Sequence, residues 1–127
     1  MPASDPFSYA ILRIVPSVER GECLNVGVVL FCRRRGFLGL RFALDEQRLR
    51  VLAPGLAAEQ VQAHLAGLQR VAEGAADAGG VAALSRSERF GWLAAPSSTI
   101  VQSSETHTGL CEDPAATLDA LFARLVA

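Results

Sequence analysis

The residues best suited to chemistry gather between positions 13 and 27. Arg13, Pro16, Glu19, Arg20, Gly21, Glu22, Asn25 and Gly27 join two apolar segments through a short, charged loop. Arg13 alternates with Tyr9 and Ile11, so it shares a strand face with apolar side chains and is expected to be partly buried. An isolated buried charge is very costly, so a carboxylate, Glu22, Glu19 or another acid, is the expected partner. Asn25 falls in mid-strand, where β-propensity disfavours it, and is expected to have a specific hydrogen-bonding duty. Two readings stand. In one, an Arg–Glu pair and a loop-tying Asn fix the register of a hairpin. In the other, Arg13, Glu19, Arg20, Glu22 and Asn25 form a site for an anion or a partner protein.

The remaining candidates are weaker. Paired carboxylates can do acid/base work when their environment splits their pKa values, but Arg20 between Glu19 and Glu22 favours two ordinary ionised groups. His107 and Cys111 lie four apart, but Gly109 between them disfavours a continuous helix, and a nucleophile must touch its base. Cys23, Cys32 and Cys111, with His64 and His107, show neither CxxC nor zinc-ligand spacing. Cys23 and Cys32 read as small buried apolar residues. All twelve basic residues other than histidine are arginine, which excludes Schiff-base and P-loop lysines. There is no GxGxxG after a strand, no GxSxG and no HExxH. These motifs assign no catalytic residue, metal or cofactor. Arg33-Arg34-Arg35 before Gly36 reads as a solvated hairpin tip, with phosphate contact as the alternative. Ser97–Thr99 and Ser103–Thr106 bracket Ile100-Val101. Their hydroxyls either shield an edge strand from aggregation or line a groove that a partner strand joins. Phe90, Trp92 and Phe122 fall at helical spacing and read as core.

The elements that must position these residues follow from periodicity. Residues 7–15 form a strand with two apolar faces, hence a central one, ended by Pro16. A second strand covers 23–32, and Gly27 within it marks a bulge or a close backbone approach. Residues 37–42 return as a third, in a hairpin. Asp45 then N-caps a short helix, with Leu44 and Leu49 as its staple, stopping before Pro54. A longer helix over 57–73 turns Val61, Leu65, Leu68 and Ala72 to one side. Residues 74–80 are a loop. Ser85 and Glu88 form a capping box for a helix that Pro96 ends. A polar fourth strand over 98–104 belongs at a sheet edge. Asp113-Pro114 opens a final helix with Leu118, Leu121, Phe122, Leu125 and Val126 in one stripe. The expected fold is α+β, in the order β-β-β-α-α-α-β-α, with about four mainly antiparallel strands and helices on the apolar sheet face.

Composition agrees with one domain over 1–127. Half the residues are hydrophobic and the net charge is −1, so no overall field draws the chain to nucleic acid or an anionic membrane. The charge is uneven: residues 1–42 carry six Arg against three acids, and residues 43–127 six Arg against ten. The bias toward Arg, Ala and Gly suggests a GC-rich bacterial genome. The sequence shows no secretory leader and no apolar run long enough to span a bilayer. An odd number of cysteines without disulfide spacing implies reduced thiols and a cytoplasmic location.

Tyr9-Ala-Ile-Leu-Arg-Ile-Val-Pro16 and Arg20-Gly-Glu-Cys-Leu-Asn-Val-Gly-Val-Val-Leu-Phe31 together resemble the bacterial domain-of-unknown-function family DUF3037. Ser87–Leu93, Ser98–Gln102 and His107–Gly109 follow in the same order. The resemblance spans nearly the whole chain. It implies family positions for Arg13, Arg20, Glu22, Asn25 and Gly27 without an established activity. Cys23 stands where a larger apolar residue is expected, which argues against a cysteine nucleophile. The family is similar to proteins encoded beside high-persistence-type Ser/Thr kinase homologues, so the resemblance implies such a kinase as a partner. The favoured reading is a protein-binding accessory or regulatory module, with no membrane or nucleic-acid partner. The alternative is an enzyme or binding protein for a phosphate-containing ligand, drawing on Arg13, Arg20 and Arg33–Arg35.

Overall fold

A long strand, β1 (Asp5–Ser17), organises the structure, a computed structural model that describes residues 4–17, 19–95 and 101–127. On one side β1 pairs antiparallel with β2 (Glu22–Cys32), which pairs in turn with β3 (Phe37–Phe42). On its other side β1 carries two short strands, β4 (Val101–Ser103) along Leu12–Ile14 and β5 (His107–Cys111) along Asp5–Tyr9. Among the described residues the sheet therefore has five strands rather than four, all paired antiparallel. Residues 98–100 of the expected fourth strand lie outside the described residues. β4 does lie at the sheet edge, as its polarity suggested.

Ser104 explains how one strand can serve two partners. The Ile11 amide donates to Ser104 Oγ (2.9 Å), and the Ser104 amide donates to the Ile11 carbonyl (2.8 Å). A single buried residue thus carries the ladder across the junction between β4 and β5.

The helices are α1 (Glu46–Leu52), α2 (Ala58–Glu73), α3 (Arg86–Ala94) and α4 (Pro114–Leu125), with a short 3₁₀ turn at Gly80–Ala83. Their starts follow the sequence signals. Asp45 accepts from the Gln47 and Arg48 amides, and Asp113 from those of Ala115 and Ala116. Ser85 Oγ accepts from the Glu88 amide (3.2 Å), the first bond of a capping box, and donates to Glu88 Oε1 (2.9 Å).

The helices do not share one sheet face. Ala10, Leu12 and Ile14 of β1 join Val61, Leu65 and Leu93 in a core beneath α1, α2 and α3. The opposite face, with Phe7, Val28, Leu30 and Cys32, is covered by Leu118 and Leu121 of α4. Two apolar faces on β1 and β2 require two covers, and α4 supplies the second.

Gly27 serves both roles expected of it. Leu12 pairs with Gly27 while Arg13 pairs with Asn25, so Val26 is the extra residue of a bulge. A Cβ on Gly27 would stand 3.0 Å from the Arg41 carbonyl oxygen. The bulge restores alternation beyond it, turning Leu24 toward α1 and Asn25 toward α4. Pro16 does not end β1, which runs to Ser17; instead the pairing with β2 is broken between Ile14 and Ser17, where proline has no hydrogen to give.

Candidate functional site

The structure divides the charged stretch into an exposed loop and a half-buried polar row. At the loop, Gly21 adopts φ 67°, a left-handed turn that brings Arg20 back over β2. Arg20 Nη2 meets Glu22 Oε1 at 2.7 Å, with the two side chains 72% and 39% exposed. An ion pair so exposed contributes little to folding. Glu19 is exposed beside it.

Arg13 is not paired with an acid. Its Nε donates to Asn25 Oδ1 at 3.2 Å, and Asn25 Nδ2 donates to the carbonyl of Leu125 at 3.2 Å. The expected carboxylate partner is thus corrected: Glu22 is taken by Arg20, and the bulge at Val26 places Asn25 directly opposite Arg13. Asn25 has the hydrogen-bonding duty expected of it, tying β1 and β2 to the last turn of α4.

Beside the loop lies a groove of about 410 Å³ between the start of β2 and α1. Cys23, Leu24, Val51 and Leu52 make its apolar lining, with Glu22 and Arg48 among its polar residues. Val51 is 87% exposed there. Cys23 is exposed too, not buried as its small size suggested. A second hollow of about 330 Å³ shares Leu24 and Arg48 with the groove and reaches Asn25, Val126 and Ala127. One concave surface therefore runs from the charged loop past α1 to the end of the chain.

The other candidates are dispersed. Arg33, Arg34 and Arg35 form the β2–β3 turn, but Asp5 takes Arg35 (2.7 Å) and Arg34 (3.7 Å), and Arg33 donates to Ser87 Oγ at 3.3 Å. This tip is a tether to β1 and α3. His107 and Cys111 occupy one strand, four residues and therefore roughly 13 Å apart, so they form no nucleophile–base pair. Burial, then the neighbouring Cys32, pushes the Cys111 thiol up, away from thiolate chemistry. Among the described residues no group of three His, Cys, Asp or Glu is placed to hold a metal. No helix among them is long and apolar enough to cross a membrane. Trp92 is 48% exposed rather than core, because α3 turns Arg89 and Leu93 inward instead. Phe122 is buried under the Arg41 guanidinium (4.4 Å), and Phe90 stacks on Phe31.

Sequence reasoning missed the groove and Arg89. Val51 carried a signal: it is apolar on a seven-residue helix whose buried residue is Leu49, so it falls on the opposite side. Arg89 carried none, since an arginine on a short helix reads as solvated.

The chain belongs to a family described as Protein of unknown function (DUF3037), whose model matches residues 9–126. No curated protein and no solved structure matches it.

Proposed function

We propose that this domain is a protein-binding accessory module that docks its partner at the β1–β2 end of the sheet. The supporting observation is the apolar groove between β2 and α1, with Val51 held in solvent and the Arg20–Glu22 pair beside it. An exposed apolar surface with a polar rim is the usual anatomy of a docking site. The ion pair adds little to stability, which leaves both groups available to a partner. The family resemblance makes a high-persistence-type Ser/Thr kinase homologue the first partner to test. Regulation of that kinase is the corresponding biological role.

The experiment is capture of partners by the tagged protein in its own host, with Val51→Asp and Arg20→Ala beside wild type. Both positions are exposed, so both variants should keep the wild-type melting temperature. A stoichiometric partner held by wild type and lost by Val51→Asp is the expected result. Capture undiminished in both variants would place the interface elsewhere.

A further inference from the structure

Arg13 is the one half-buried arginine whose environment looks incomplete. Of its five N–H donors, only Nε has a partner among the described residues, the neutral Asn25 Oδ1. All thirteen acidic residues are described, and none lies within ion-pair distance of Arg13. The nearby end of α4 does not stand in for an anion, since the Leu125 carbonyl accepts from Asn25 instead. On the other side, β4 places Gln102 directly opposite Arg13, and directly opposed residues have Cβ atoms about 5 Å apart. Gln102 is half-buried and its side chain has no hydrogen-bond partner among the described residues. Gln102, Arg13 and Asn25 therefore form a row across β4, β1 and β2 on the α4 face.

We propose that this row is a binding position for one carboxylate. A guanidinium held by Nε presents its two Nη groups as a fork, which matches the two oxygens of a carboxylate. Asn25 fixes the orientation of the fork, and the Gln102 amide lies within reach to donate a further hydrogen bond. A single cation in the row suits a monoanion better than a phosphate dianion. The carboxylate belongs either to a small organic acid or to an acidic side chain of a peptide. The row meets the concave surface only at Asn25, and none of the residues lining the groove beside α1 belongs to it, so loss of partner capture at that groove would leave this assignment standing.

The test follows the Arg13 side-chain resonance of ¹⁵N-arginine-labelled protein during titration with sodium acetate, against sodium chloride at equal ionic strength. The expected result is a saturable shift with acetate alone. Gln102→Glu should supply the missing carboxylate from β4, raise the melting temperature and weaken acetate binding about tenfold or more through like-charge repulsion. An acetylated, amidated tripeptide with one glutamate separates the sources: tighter binding than acetate identifies a peptide ligand, and weaker binding a small acid. If acetate does no more than chloride, the proposal is wrong. It is also wrong if acetate binds Gln102→Glu as well as wild type.

Discussion

Arg89 offers the sharpest test of how the helical layer is held together. It is 8% exposed, and its Nη1 donates to the carbonyls of Val71 (3.1 Å) and Ala72 (2.9 Å). These oxygens end α2, where the helix has no further amides to offer. The Val71 carbonyl also accepts from Gly74, whereas Arg89 is the donor described for Ala72. Arg89→Met keeps the apolar stem and removes the donors. Two hydrogen bonds from a charged group are worth about 3–6 kcal/mol together. Against this, Arg89 Nε is buried with no partner among the described residues, and removing it returns about 1–3 kcal/mol. The net loss should be about 2.5 kcal/mol, taking the middle of each range. For a domain of this size that lowers Tm by roughly 10 °C. Urea unfolding followed by far-UV circular dichroism would measure it, with an unchanged m-value showing that the two-state comparison holds. A loss below about 0.5 kcal/mol, the range of ordinary surface substitutions, would refute the capping role.

Gly74→Ala should act through the same contact. Gly74 has φ 71°, and an added Cβ would stand 2.7 Å from Arg89 Nη1, so a loss of about 1–2 kcal/mol from the left-handed backbone is expected, with more from displaced Arg89. In the Arg89→Met background the extra part should vanish, which a double-mutant cycle in urea would detect. Ser104→Ala removes the acceptor for the Ile11 amide and should cost about 1–3 kcal/mol, the price of a buried donor left unpaired; amide exchange at Ile11 should quicken selectively. Cys111 governs an alkaline limit. Its folded pKa is raised by burial and by Cys32, while Arg35 opposes. Below about pH 8.5, the ordinary thiol value, folded and unfolded chains both hold the proton. Above it the unfolded chain ionises first, so stability should fall as pH rises. Melting curves from pH 8 to 10 should show a shallower fall for Cys111→Ala than for wild type.

Much of the fold was legible because its signals are local. The capping residues Asp45, Ser85 and Asp113 occupy the helix starts, since a side-chain oxygen two or three residues ahead of an unpaired amide is a short-range device. The bulge at Gly27 was legible for a similar reason: glycine amid β-branched residues marks a backbone need. β5 was not legible. His107–Cys111 is short and interrupted by Gly109, and it becomes a strand because β1 extends beyond β4 and leaves an edge to fill.

The division is the same at the candidate site. Residue types and spacing determined that Arg13, Arg20, Glu22 and Asn25 form the charged end of a β-hairpin, with Asn25 hydrogen-bonded. Only the tertiary structure decided the pairing. Arg20 meets Glu22 once Gly21 turns the loop, and the bulge sets Asn25 rather than an acid against Arg13. The groove likewise depends on α1 lying beside the start of β2, a contact between segments separated by the whole of β3. Register, bulges and helix docking are properties of elements meeting in space, so no run of neighbouring residues encodes them.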